Sequence, residues 1–421
     1  MNWKEIQNGS DIRGVAIASP ENKKVNLDVE TLKILGASFA SWLKNKTGKT
    51  NLSVAIGMDS RISGPSLSKA FTEGLTHQGV SVIHFGLATT PSMFMAIQDD
   101  ELGVDGSVML TASHLPYDRN GLKFFVREGG LDKKDISEIL GLAEKNDFEA
   151  GRAKGSVAKY NYLEKYSEFL VQYLRKEIND KDNYNQPLSG LHIIVDAGNG
   201  AGGFFASKVL SVLGADTSGS QFLDPDGRFP NHAPNPEDPS AVDSLSKAVV
   251  KVNADLGIIF DTDVDRAAII NSDGRAINRN ELIALISAII LEEHPGSTIV
   301  TDSITSEGLK IFINSGLGGN HHRFKRGYKN VINEAKRLNA ENHECWLAIE
   351  TSGHAALKEN YFLDDGAFLI AKILVKAARL RKDGKALISL IETLKVPLES
   401  EEVRLKIKHD NFKEYGDEVL Q

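Results

Sequence analysis

Three times along these 421 residues a short apolar run ends abruptly in a loop crowded with small and charged side chains. Val108-Met109-Leu110 breaks into Thr111-Ala112-Ser113-His114. Gly257-Ile258-Ile259-Phe260 runs into Asp261-Thr262-Asp263-Val264-Asp265-Arg266, and Ala348-Ile349 into Glu350-Thr351-Ser352-Gly353-His354. Runs this brief and this apolar read as buried strands, because a helix needs more residues and leaves a polar face. Helical spacing lies between them: Leu32, Leu35, Phe39, Ala40 and Leu43 share one face ahead of Gly48, and Tyr162 to Ile178 is amphipathic. Strands alternating with helices build α/β units on largely parallel sheets. Three comparable units, each carrying one motif at the carboxyl end of a strand, predict repeated domains around a shared cleft. The polar stretch near Glu144 to Lys159 and the run Asn179-Asp180-Lys181-Asp182-Asn183 place the first boundary. The expected domains are 1–185, 186–293 and 294–396, with 397–421 opening a further one.

At this length one core does not suffice. With 41% hydrophobic and 25% charged residues the composition is that of an ordinary globular protein, and no apolar run approaches the ~18 residues of a membrane helix. The start, MNWKEIQNGSDIRG, lacks the basic and apolar regions of a signal peptide. The single cysteine, Cys345, lies in an apolar run and reads as a small buried hydrophobe, in keeping with a reducing compartment. A cytoplasmic location is expected, or an organelle stroma if a transit peptide has been removed. The net charge of −8 argues against nucleic acid as a partner, although a local basic site can still take an anionic small ligand.

Each of the three loops suggests a chemistry. In the first, Pro116 forbids regular continuation, Asn120-Gly121 favours a tight turn with positive φ, and an apolar strand resumes at Leu122. Ser113, with His114 beside it and Lys123 ten residues on, is thus presented on a loop anchored at both ends. That suits a phosphoryl-carrying nucleophile, although a serine at such a junction commonly serves only turn chemistry. In the second loop three carboxylates at alternate positions favour a hard divalent cation, magnesium first. An EF-hand is excluded, since Arg266 stands where glycine is needed and Ser272 where glutamate is. In the third, carboxylate and hydroxyl groups can accept from and donate to the vicinal hydroxyls of a sugar. A lone histidine such as His354 is more often structural. The glycine-rich stretch Ala197 to Gly203 is neither a Walker nor a dinucleotide motif, and the proline-rich stretch Pro225 to Glu237 reads as a stiff architectural loop.

Taken together, these blocks resemble the α-D-phosphohexomutases, the phosphoglucomutase and phosphomannomutase superfamily. The family's serine loop, T-A-S-H-N-P followed by N-G-x-K, is matched at Thr111, Ala112, Ser113, His114, Pro116, Asn120, Gly121 and Lys123, with Leu115 where the family has Asn. Gly9 to Gly14 resembles the opening D-x-R-G segment, and Gly57 to Gly64 the segment G-x-D-x-R-x-S-G. Asp261 to Arg266 is similar to the metal loop D-x-D-x-D-R, and Glu350 to His354 to the sugar loop G-E-x-S-G-H, with Ile349 replacing the leading Gly. The resemblance implies an α/β fold of three consecutive, similar α/β domains with mixed sheets around a central cleft. It implies a phosphohexomutase that interconverts hexose 1-phosphate and hexose 6-phosphate through a phosphoserine and a hexose 1,6-bisphosphate. Ser113 would carry the phosphoryl group and also face the metal, and Asp261, Asp263 and Asp265 would hold Mg2+. Arg13 and Arg266 would face phosphate, and Lys123, His354, Arg13 or Arg266 would manage the hydroxyl proton or developing charge, with His114 beside the nucleophile. Asp59 and Arg61 would brace the serine loop. Lys325, Glu350, Ser352 and His354 would bind the substrate. The family's fourth domain carries an R-x-S-G-T-x-P loop that nothing after Leu394 matches, so that domain is expected to be truncated or absent.

Two rival readings follow from the same residues. Ile258 to Val264 also fits the D-x-D-x-V start of a haloacid-dehalogenase-type phosphatase, with Asp261 as nucleophile. A chain without the fourth domain would alternatively serve as a catalytically weak sugar-phosphate-binding protein.

Overall fold

The structure, a computed structural model, describes residues 2–22, 24–148, 151, 153–397, 415, 416 and 418. Three sheets follow one another along the chain. The first runs in the order Gln7–Asn8, Asp11–Val15, Arg119–Val126, Gly106–Leu110, Ser53–Met58, Ser81–Leu87, Val157–Lys159, with Gly129–Gly130 paired beside Arg119–Val126. Its middle is parallel, where Ser53–Met58 lies between Ser81–Leu87 and Gly106–Leu110. Arg119–Val126 is antiparallel to both of its long neighbours, Gly106–Leu110 and Asp11–Val15. The sheet is therefore mixed. Gly106–Leu110 is buried at every residue, as a strand with helices on both faces must be.

The second sheet sets Ile193–Asp196 parallel to Leu256–Phe260, which turns back antiparallel into Ala267–Asn271 and on to Ala276–Ile277. In the third, Thr298–Asp302 lies between Asn320–Phe324 and Cys345–Ile349, both parallel to it, and antiparallel Ala355–Leu357 and Leu363–Asp364 complete the sheet. One continuous apolar core joins the three units. It includes Met93 and Phe125 from the first, Phe205 and Phe260 from the second, and Leu347 and Phe368 from the third. Helix Tyr162–Ile178 crosses between units, where the Tyr166 hydroxyl donates to both carboxylate oxygens of Asp365 at 2.7 and 2.8 Å. Cys345 is buried, and its thiol pKa is pushed up to about 12 by that burial. Among the described residues no helix is long and apolar enough to cross a membrane.

Two expectations are corrected. Asn120-Gly121 is no tight turn: both residues lie inside Arg119–Val126, and neither has positive φ. The chain reverses earlier, where the Arg119 amide donates to the Pro116 carbonyl at 3.0 Å. Pairing with Asp11–Val15 overrides the local preference of the dipeptide. Gly121 is required for a different reason, since a Cβ there would lie 2.3 Å from the Ile12 carbonyl oxygen. Helix Arg279–Glu293, assigned from sequence to the second unit, packs on Cys345–Ile349 and Gly366–Lys382 of the third, because its apolar surface finds cover there. The expected opening of a fourth domain, 397–421, lies outside the described residues apart from 397, 415, 416 and 418.

Candidate active site

Strand Gly106–Leu110 delivers Ser113 into the cleft with φ 53, the left-handed region that a non-glycine residue enters at a cost of about 1–2 kcal/mol. The surrounding bonds hold it there. The Ser113 amide donates to Thr111 Oγ1 at 2.9 Å, and Thr262 Oγ1 donates to the Ser113 carbonyl at 2.8 Å. Arg61, fully buried, donates to the carbonyls of Ser113, Leu115, Pro116 and Arg119 at 2.5 to 2.9 Å, and its Nε to Asp59 Oδ2 at 3.2 Å. One guanidinium thus fixes the whole loop. The second unit covers it from above, with the Phe229 ring 5.2 Å from the Arg61 guanidinium.

The nucleophile candidate faces the second loop directly. Ser113 Oγ donates to Asp261 Oδ2 at 2.9 Å and accepts from Arg266 Nη2 at 2.9 Å. Arg266 Nη2 also donates to His114 Nδ1 at 2.7 Å, and Nη1 to Asn235 Oδ1 at 3.3 Å. Burial and the neighbouring charges of Arg266 and Arg13 push the His114 pKa down to about 3, so its imidazole is neutral at pH 7.

Asp261, Asp263 and Asp265 are buried, with carboxylate oxygens within 4.8 Å of one another. Burial first, then Asp265 and Asp263, raise Asp261 well above the usual carboxylate range. Burial opposes the charge of Asp265 too, yet Lys123, His354 and Arg266 hold its pKa below that range. Lys123 Nζ donates to Asp263 Oδ2 at 2.7 Å and to Asp265 Oδ2, and Thr90 Oγ1 donates to Asp263 Oδ2 at 2.5 Å. Asp263 Oδ1 and Asp265 Oδ1 remain buried without a hydrogen-bond partner among the described residues. Unpartnered anionic oxygens in so compact a set fit a hard divalent cation held by all three residues.

The third loop closes on the second through the backbone bridge between Arg266 and His354. Gly353 permits that approach: at φ 95, a Cβ would lie 2.7 Å from the Ala267 carbonyl oxygen. His354 Nδ1 pairs with Asp364 Oδ2 at 2.6 Å and lies 3.8 Å from Asp265 Oδ1. Burial alone would lower its pKa, but Asp364 and Asp265 raise it to about 9, so it stands as a cation. Glu350 Oε1 accepts the Gly327 amide at 2.5 Å, and Ser352 Oγ is buried without a hydrogen-bond partner among the described residues. Lys325 is exposed two residues before Gly327. Arg13 Nη2 donates to Asp11 Oδ2 at 2.8 Å on the first unit.

The structure therefore brings Ser113, His114, Lys123, Arg266, the three aspartates and His354 into one contact network. Arg13 with its partner Asp11, and Glu350 with the Gly327 loop, lie beside it. Sequence reasoning missed Thr90, Thr262, Asn235, Tyr328 and Asp364. Asp364 ends the short strand Leu363–Asp364 beside a second acidic residue, Asp365, which is a faint signal; Thr262 and Asn235 lie inside stretches already singled out but for other residues, and Thr90 and Tyr328 carry none.

The same three units appear in comparison with known proteins. Residues 4–150, 164–274 and 278–394 match the models of α/β/α domains I, II and III of phosphoglucomutase/phosphomannomutase. A phosphoglucomutase of Neisseria gonorrhoeae is 32% identical over 345 residues, which span 82% of this chain and 71% of that protein. A phosphomannomutase/phosphoglucomutase of Pseudomonas aeruginosa is 32% identical over 383 residues, 90% of this chain and 77% of the other. The crystal structure of a phosphoglucomutase/phosphomannomutase family protein from Burkholderia thailandensis superposes with a TM-score of 0.77 at 28% identity, covering 93% of this chain and 80% of that one. With three domains in the same order and relatives this similar over most of their length, the chain belongs to the phosphoglucomutase/phosphomannomutase family.

Proposed function

We propose that this mutase moves phosphate between the 1- and 6-positions of a hexose by way of a phosphoryl group on Ser113. The observation that supports this most is the setting of Ser113 Oγ, held between a carboxylate of the acidic loop and the Arg266 guanidinium at 2.9 Å each. In the forward step the phosphorus–Oγ bond of phosphoserine breaks as a bond forms to the free sugar hydroxyl, whose proton replaces the phosphoryl group on Ser113 Oγ, and a hexose 1,6-bisphosphate results. The bisphosphate then turns over and returns its other phosphate to Ser113 Oγ. Two in-line transfers replace one difficult rearrangement.

Arg266 lies where the transferring group would sit and can follow its charge between Ser113 and sugar. Lys123, His354 and Arg13 add positive charge around the same space, and each is oriented by a carboxylate: Asp263 and Asp265, Asp364, and Asp11 respectively. Glu350, Ser352 and Lys325 form the wall that faces the sugar and its distal phosphate. Mg2+ would be held by Asp261, Asp263 and Asp265 beside Ser113 Oγ, where such a cation neutralises charge on a transferring phosphoryl group. The partners are a hexose phosphate, of glucose or mannose type, and its 1,6-bisphosphate.

Labelling tests the reading, because a serine phosphate ester survives acid while an aspartyl phosphate is cleaved by hydroxylamine. Treatment with radiolabelled glucose 1,6-bisphosphate should leave acid-stable label on Ser113, and Ser113→Ala should abolish both label and turnover. Hydroxylamine-labile label on Asp261, with Ser113→Ala still active, would establish the phosphatase chemistry instead.

A further inference from the structure

The helix Tyr328–Ala340 begins in the cleft, and its first residue touches both walls. The Tyr328 ring stacks on the His354 imidazole, with centroids 5.1 Å apart and planes inclined by 23°. Its hydroxyl crosses to the first unit, donating to Asp11 Oδ1 at 3.1 Å, with Ser10 Oγ 3.2 Å away. The other oxygen of Asp11 accepts from Arg13 at 2.8 Å. At its edge the same imidazole is held by Asp364, Nδ1 to Oδ2 at 2.6 Å. A single side chain thus connects Arg13, on the wall that carries Ser113, to His354, on the wall that carries the sugar loop.

We propose that Tyr328 is a positioning residue for the transfer, its hydroxyl setting Arg13 through Asp11 and its ring setting His354. The inference rests on the function proposed above. Arg13 and His354 belong to different sheets, and a cleft that must accept the same sugar in two orientations needs its two walls in fixed register. A phenol bridges that gap with two rotatable bonds, so little freedom is lost in holding the register. The Tyr328 hydroxyl also stays protonated, since burial and the Asp11 carboxylate raise its pKa well above the usual phenol value, so it remains a donor.

The two ends of the residue make separable predictions. Tyr328→Phe removes the hydroxyl and keeps the ring, so it frees Arg13 and lowers kcat by about tenfold to a hundredfold, the worth of one hydrogen bond to a charged group, with KM within a few-fold of the parent. Tyr328→Leu removes the stack as well, and KM for the hexose phosphate rises in addition. Each kcat is expressed per mole of phosphorylated Ser113, so that misfolded protein does not enter. In an Asp11→Asn background the Phe substitution should have little further effect, because the path it breaks is already broken. Unchanged kcat and KM in Tyr328→Phe, or full additivity with Asp11→Asn, would overturn the proposal. Parent protein that takes no phosphate on Ser113 would instead overturn the mutase mechanism, and this inference with it.

Discussion

Replacing Arg61 with methionine keeps most of the side-chain volume and removes the one group that ties the serine loop together. Five bonds are lost, four to carbonyls and one to Asp59. Two of the carbonyls keep a second donor: Thr262 for Ser113 and the Arg119 amide for Pro116. Of the other two, the Arg119 carbonyl opens strand Arg119–Val126, while the Leu115 carbonyl, in the loop, has no other described donor, and leaving it unpaired costs about 1–3 kcal/mol. Asp59, fully buried with its pKa already raised to about 6 by that burial, loses its ion-pair partner, and breaking such a pair from one side costs about 3–5 kcal/mol. The two terms overlap in a shared relaxation, so a deficit of about 3–5 kcal/mol at pH 7.5 is the expected outcome. It should be seen as a lowered urea midpoint of Arg61→Met. The sign with pH follows from linkage: the folded Asp59 binds a proton more tightly than the unfolded one, and more tightly still without Arg61. Acidification to pH 5 therefore favours the folded mutant and narrows its deficit. Phosphate incorporation on Ser113 should fall even in the folded fraction. An unfolding free energy within about 1 kcal/mol of the parent, or a deficit that widens at pH 5, would refute the idea that Arg61 holds the loop and compensates Asp59.

Two further outcomes are expected. Chelation with EDTA should abolish turnover and added magnesium restore it, and Asp263→Asn should raise the magnesium concentration needed for half activity at least tenfold. Full activity in excess chelator would contradict the assignment of the acidic loop, and calorimetric titration with magnesium checks it independently of turnover. Burial raises Asp365 to about 7, so its charge weakens the folded state progressively as pH rises from about 4 to 7. Asp365→Asn should flatten that part of the pH–stability curve, measured by thermal melts at pH 5 and 8, and an unchanged slope would show that Asp365 does not carry it.

Contiguity decided what could be read from the residues alone. Ser113 with His114, and Asp261, Asp263 and Asp265 with Arg266, are each compressed into a few positions after an apolar run, so composition, spacing and family pattern point the same way. The alternation of strand and helix likewise made the three α/β units readable. Longer reach was not. Thr90 meets Asp263 across 173 residues and Tyr328 meets Asp11 across 317, and nothing local distinguishes that threonine or tyrosine from any other. Arg61 was readable as a brace, but not the four carbonyls it serves. Asn120-Gly121 misled for the opposite reason, because a strong local preference lost to strand pairing on both sides. Asp364 was passed over because its meaning depends on His354, ten residues earlier but in contact only after the chain has turned back antiparallel.

The left-handed backbone at Ser113 bears on what evolution can do with this position. Threonine offers the same hydroxyl oxygen as serine. At φ 53 the second branch of a threonine Cβ crowds its own backbone, in a conformation where β-branched residues are genuine outliers. Cysteine fits the backbone but presents sulfur, and glycine fits it best of all but presents nothing. Of the side chains that bring an aliphatic hydroxyl to this loop, serine does so with the less backbone strain, although Val264, at φ 67 in the facing loop, shows that a β-branched residue can be held in this region when its surroundings fix it.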